Sequence, residues 1–110
     1  MLKIRDRQMS AYIQLNAQTN HLDVVGVINI DNVVRVRKAG AILIEQMENP
    51  VMNLEQVVTG DSTVLALLTA WVRDAKKSNR PLRFSKIPSS LLNIAKLNHL
   101  DELPEILAAL

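Results

Sequence analysis

Asp61, Ser62 and Thr63 stand together where an apolar run ending in Val57-Val58 passes through Thr59-Gly60 into a second apolar run, Val64-Leu65-Ala66-Leu67-Leu68. One carboxylate and two hydroxyls at a strand-to-helix junction are suited to two roles. The first backbone N–H groups of a helix have no intrahelical acceptors and carry a partial positive charge, so these oxygens can serve as an N-cap. The same positive end accommodates a phosphate, which makes Ser62 a candidate phosphorylation site and Asp61-Ser62-Thr63 a candidate contact surface. A nucleotide site of the phosphate-loop kind does not fit. The stretch lacks the Gly-Lys-Ser/Thr ending that supplies a cation for the phosphates and a hydroxyl for Mg²⁺.

The rest of the chain offers little for catalysis. His21 and His99 are the only histidines, one beside a polar turn and one at a helix end, and neither has a partner at metal-ligand or acid–base spacing. The acidic pairs Asp101-Glu102 and Glu45/Glu48 fall in turn or helix contexts that read as solvated surface. With no cysteine there is no thiolate nucleophile, disulfide or cysteine-ligated metal, a usage that suits a reducing compartment. No nucleophile–base pair can be assembled, so the reading is of a protein that is not an enzyme and needs no cofactor and no metal.

The elements that position the junction follow from apolar spacing. Ala11 to Asn16 alternates with the strand period, Gln18-Thr19-Asn20 is a polar turn, and Leu22 to Ile28 reads as a second strand containing Gly26, paired antiparallel with the first. Asp31 and Asn32 offer a cap for a helix whose apolar stripe is Val33, Val36, Gly40, Leu43, Ile44 and Met47, and Asn49-Pro50 stops it. Val51 to Val58 is then a buried strand leading to the junction. From Ser62 the residues Leu65, Leu68, Trp71, Val72 and Ala75 recur at helical spacing until Ser78-Asn79-Arg80-Pro81. Leu82, Phe84 and Ile87 suggest a short strand, Pro88-Ser89-Ser90 caps a helix through Leu91, Leu92, Ala95 and Leu97, and Pro104 opens a last short segment, Glu105 to Leu110. The expected fold is α/β, in the order β-β-α-β-α-β-α: a mixed sheet with parallel later strands, packed by helices of about 11 to 16 residues.

Composition agrees with one compact domain over residues 1–110, with no linker, repeat or low-complexity run. Apolar residues make up 48% of the chain, with one Trp, one Tyr and one Phe, so the core is aliphatic. A formal charge of +2 does not argue for nucleic acid, and stacking aromatics are lacking. Six basic residues lie between Arg73 and Lys86 (Arg73, Lys76, Lys77, Arg80, Arg83, Lys86) against one acid, Asp74; a solvated helix end accounts for them, and an anionic partner is the alternative. No stretch has the length and hydropathy to cross a bilayer, and the first residues lack the apolar core of a signal peptide, so a cytoplasmic location is expected, with any work at a membrane done through a partner.

Three segments in order carry a resemblance that spans about Met9 to Leu107: the Leu22-x-Val24-x-Gly26-x-Ile28 strand, the junction Asp61-Ser62-Thr63-Val64-Leu65-Ala66-Leu67-Leu68, and the Leu91-Leu92-Asn93-Ile94-Ala95-Lys96-Leu97-Asn98-His99-Leu100 helix. Together they resemble the STAS domain, the fold of sulfate-transporter tails and anti-sigma-factor antagonists. Leu65 to Leu68 followed by Trp71 and Ala75-Lys76-Lys77, with the Leu92-x-x-Ala95-Lys96-Leu97-Asn98-x-Leu100 run, is most similar to the stand-alone STAS subunits of the ABC complexes that move phospholipid in Gram-negative bacteria. The resemblance implies a subunit that docks on an ABC ATPase, itself joined to a permease, and supports the lipid traffic behind outer-membrane asymmetry. It places Asp61, Ser62, Thr63 and Val64 in the partner contact and marks Ser62 as the residue that phosphorylation-switched relatives modify. Val64 departs from the family, which usually has Gly there; a branched side chain suits a more apolar interface than an anti-sigma groove. The second reading implied is an anti-sigma antagonist switched by a serine kinase.

Overall fold

The computed structural model describes residues 11–58 and 62–97. Over these the chain forms β1 (Ala11–Asn16), β2 (His21–Val27), α1 (Val33–Gln46), β3 (Val51–Val58), α2 (Thr63–Lys77), β4 (Arg83–Ser85) and α3 (Ser89–Leu97). The order is the expected one, and among the described residues the strands make one sheet, β1-β2-β3-β4, antiparallel between β1 and β2 and parallel thereafter. The expected last segment after Pro104, together with His99 and Asp101-Glu102, lies outside the described residues.

The β1–β2 connection is set by local polar chemistry. The Asn16 side-chain oxygen accepts from the backbone N–H of Gln18 and Thr19 at 2.9 and 3.3 Å, and Asn20 takes the left-handed backbone, φ 60°, that Asn tolerates better than most residues. Alternate residues of β2 (Leu22, Val24) and then Ile28 enter the core, as do Met52 and Leu54 of β3 and Phe84 of β4. β3 is not buried on both faces as expected: its Glu55, Gln56 and Val58 are exposed. Between Asp23 and Val25 the β2–β3 register shifts by one residue, which leaves Leu54 and Glu55 opposite Val24. The next residue but one on β2 is Gly26, whose φ of 109° a side chain would strain. β4 is shorter than the Leu82–Ile87 pattern suggests, because Lys86 at φ 54° turns the chain out of the strand.

The two long helices meet at one very close contact. Gly40 of α1 faces the indole of Trp71 in α2, and a Cβ on Gly40 would lie within 2.5 Å of the ring atoms Cε2 and Cζ2 and closer still to Nε1. Trp71 is fully buried, and its Nε1 donates to the Arg37 carbonyl at 3.1 Å, so the ring is fixed in position and orientation. Arg37 reaches across the same seam to Asp74 with two hydrogen bonds, 2.9 and 3.2 Å. That partner raises the guanidinium pKa above its already high ordinary value, first through the hydrogen bond and then through charge attraction. At the far end Arg80 Nε donates to the Glu45 carbonyl at 3.1 Å, filling an acceptor that the end of α1 leaves open.

The loop from β2 into α1 is tied by two asparagines. Asn32, 7% exposed, donates from Nδ2 to the Val27 carbonyl at 2.8 Å and accepts on Oδ1 from the Asn29 N–H at 3.0 Å. Asn29 Oδ1 in turn accepts from the N–H groups of Asp31 and Asn32, at 2.9 and 3.2 Å. Asn32 is the N-cap residue of α1 yet makes no side-chain cap bond, because its amide points back into the loop.

Two expectations follow. Gly40→Ala should lower stability by about 1–3 kcal/mol through overpacking, outweighing a helix-propensity gain of about 1 kcal/mol, and Gly40→Ala with Trp71→Phe should recover part of the loss; urea unfolding measures both. Asn32→Ala should cost about 1–3 kcal/mol, since it leaves the part-buried Val27 carbonyl without this donor, and should speed amide exchange at Asn29 and Asp31 ahead of the core strands.

Candidate docking site

In a sheet whose strands feed helices, the C-terminal strand ends and the N-terminal helix ends share one rim, and that rim is where such folds bind. Here β2 and β3 run parallel, so their C-terminal ends lie side by side; Val27 and Val58 are register partners, and the Ile28 N–H reaches the Val58 carbonyl at 3.4 Å. Of the sequence-selected residues, Ser62 and Thr63 are placed at the start of α2. Ser62 is the N-cap residue of α2, is exposed, and makes no side-chain cap hydrogen bond. Its carbonyl accepts from the Ala66 N–H at 3.2 Å, so the backbone starts the helix while the side chain is left outside that task. Thr63, the first residue of α2, is half-buried, whereas Val64 is 1% exposed and belongs to the core. Val64 therefore does not present a side chain at the surface of this chain; it anchors the helix that carries Ser62. Asp61 lies outside the described residues.

The geometry adds residues that the periodicity reading passed over. Ile30 is 83% exposed and Val34 is 61% exposed, and with exposed Val27 and Val58 they place large apolar side chains around the same end of the sheet. Beside Ser62 a shallow groove runs between α1 and α2, lined by Val33, Val34, Arg37, Ala66, Leu67 and Ala70. A signal was present: Ile30 sits between polar Asn29 and Asp31, and Val34 falls off the buried stripe, so neither is explained by core packing. The mixture of exposed apolar side chains and an exposed hydroxyl at a helix start is chemistry for holding another protein.

Elsewhere the candidates dissolve into structure. In the basic stretch Arg80 is held by the Glu45 carbonyl and Lys86 makes a loose, exposed pair with Glu55 at 3.8 Å. His21 is half-buried in β2, and its backbone N–H donates to Thr19 Oγ1 at 3.2 Å. Among the described residues there is no group of three or more His, Cys, Asp or Glu side chains that could hold a metal, and no helix long and apolar enough to cross a membrane.

Comparison with known proteins agrees with the fold. The family described as MlaB, STAS domain, matches residues 12–107. A chain of the Acinetobacter MlaFEDB complex in its ATP-bound Vtrans2 conformation is similar in structure with a TM-score of 0.71 and 28% sequence identity, covering 83% of this chain and 94% of that one. The unphosphorylated anti-sigma factor antagonist SpoIIAA shares the fold at a TM-score of 0.61 and 16% identity, covering 80% and 81%. No curated relative matches by sequence. A mixed sheet in the order β-β-α-β-α-β-α, the rim at its strand ends and a family match over nearly the whole length lead to one conclusion: the chain belongs to the MlaB family of STAS domains.

Proposed function

We propose that this protein, a single STAS domain, is the non-catalytic subunit that binds and regulates the MlaF-like ATPase of an ABC phospholipid transporter, and through it the permease complex, in maintaining outer-membrane lipid asymmetry. It works from the cytoplasmic side, held peripherally at the inner membrane by its complex. One observation carries the reading: Ser62 heads α2 exposed, with its side chain not used as a cap, in a family whose STAS domains include one similar chain within a transport assembly. Asp61, Ser62 and Thr63 form the contact, Val64 holds the helix start in place, and exposed Ile30 and Val34 add apolar area beside it. Likeness to SpoIIAA supports a shared fold, so the alternative of an anti-sigma antagonist rests on the accessibility of Ser62 alone.

The two readings use the same surface and predict different partners. A phosphate or a glutamate at Ser62 adds negative charge beside Asp61. A helix start tolerates that charge in water, but burial against a partner costs repulsion and desolvation. Ser62→Glu should therefore weaken ATPase binding at least tenfold in a titration, whereas Ser62→Ala should cost about 1 kcal/mol, the worth of one interface hydrogen bond. Purification from gently solubilised membranes should co-isolate an ATPase with a permease; recovery of a soluble serine kinase instead would favour the switch. Full binding by Ser62→Glu would remove this surface from the interface.

A further inference from the structure

We infer that the ATPase contact straddles the end of the sheet, reaching from Ser62 on the helix side to the cross-strand pair Val27–Val58 on the opposite face, which it meets with uncharged apolar side chains. The inference rests on the docking reading above and goes beyond it by naming a second face and the chemistry that covers it. Leu22, Val24 and Ile28 around β2 are buried in the core, as are Met52, Leu54 and Val57 of β3, and α1, α2 and α3 send their buried residues into that same core. Alternation along a strand therefore turns Val27 and Val58 to the face away from the helices. On β3 this depends on the bulge. Glu55 and Gln56 are exposed in succession, and the extra residue returns Val57 to the core and sets Val58 beside its register partner Val27. The two valines are 46% and 58% exposed, although parallel strands are ordinarily covered on both faces.

Three observations select the occupant. Apolar surface on this face is confined to the rim end. Next to the valine pair, Tyr12 and Val25 are register partners and half-buried, whereas the following row, Gln14, Asp23, Asn53 and Ser85, is polar across all four strands. The patch is thus continuous with the docking rim and stops one row below it, so what covers it arrives from the rim. Charge points to an uncharged cover. Gln56, beside Val58, is neutral, the exposed acid of β3, Glu55, pairs with Lys86 at 3.8 Å, and exposed Asp31 after β2 repels an acidic partner residue. A charge buried against the valines would lose its water and gain no partner. Extent is the last point. A few side chains do not supply the roughly 800 Å² per partner of a stable complex, so the patch enlarges a contact made elsewhere on the chain and is too small to hold a second copy by itself.

The test uses the full chain and a purified MlaF-like ATPase. The chain has no cysteine, so Val27→Cys, Val58→Cys and, on the polar row of the same face, Gln14→Cys each introduce a single thiol. Maleimide labelling of this subunit, read by mass spectrometry, should slow at least tenfold at positions 27 and 58 when the ATPase is bound and stay unchanged at position 14. Val27→Thr with Val58→Thr keeps the branched strand-forming shape and should weaken binding about tenfold in titration calorimetry, with an unchanged melting temperature. Ser62→Glu is run in parallel. If Ser62→Glu releases the ATPase while the valine positions label at full rate and the Thr pair binds like the unmodified chain, the straddle is wrong and the rim reading stands. If the valine positions are protected and the Thr pair weakens binding while Ser62→Glu binds fully, the ATPase sits on the far face alone, which overturns the straddle and the rim reading together. Indifference of every variant has the same result. Protection of the valine positions by phospholipid vesicles, or by a second copy seen in sedimentation, with none from the ATPase, would assign the patch to that occupant and overturn the inference.

Discussion

The contact of Gly40 with the Trp71 indole is the constraint on which the helical layer depends. A helix pair usually stands 8–10 Å apart, according to the side chains between them. Here one helix contributes no side chain at the crossing and the other contributes the largest, so the space is filled by a single ring that is also hydrogen-bonded to the opposing backbone. The ring sets both the separation and the rotation of α1 against α2. Everything at their N-terminal ends inherits that setting, including the distance from Val34 to Ala66 across the groove and the direction in which Ser62 faces solvent. Arg37–Asp74 and Arg80–Glu45 fasten the same seam further along, but as exposed contacts they add orientation more than energy.

Local periodicity made much of this legible in advance. The alternation in Ala11–Asn16 and the stripe through Leu65, Leu68, Trp71, Val72 and Ala75 are properties of neighbouring residues, and the order of elements followed from them. The register shift in β3 was not legible, because a one-residue bulge is decided by pairing with β2, which no window along β3 contains. Gly40 could be seen as a member of the helical stripe, but its meaning lies in Trp71, thirty-one positions away. The caps show the same limit. Asn32 and Ser62 were both recognisable as residues that begin helices, and in neither case does the side chain do the capping: one amide is drawn into a loop clasp and one hydroxyl is left outward.

That difference between Asn32 and Ser62 is informative about the site. Asn32 is buried and bonded on both ends of its amide, so the first of the two rim loops is built as a rigid support. Ser62, at the matching place before α2, makes no side-chain cap bond. One N-cap position thus serves the stiffness of its loop, while the equivalent position on the neighbouring helix leaves its side chain accessible.

The bulge in β3 has an effect beyond its own strand. By adding one residue opposite Val24, it brings Val57 inward and Val58 outward in step with Gly26 and Val27, so both strands end at the same level. Five or six residues later each chain enters its helix, and α1 and α2 start as near neighbours pointing the same way. Two parallel helix starts, each equivalent to roughly half a positive charge, thus stand together at one pole of a protein whose formal charge is small. The register of a single strand pair thereby gathers two helix-start dipoles at one end, beside the exposed carboxylate of Asp31, an arrangement that no count of lysines and arginines would reveal.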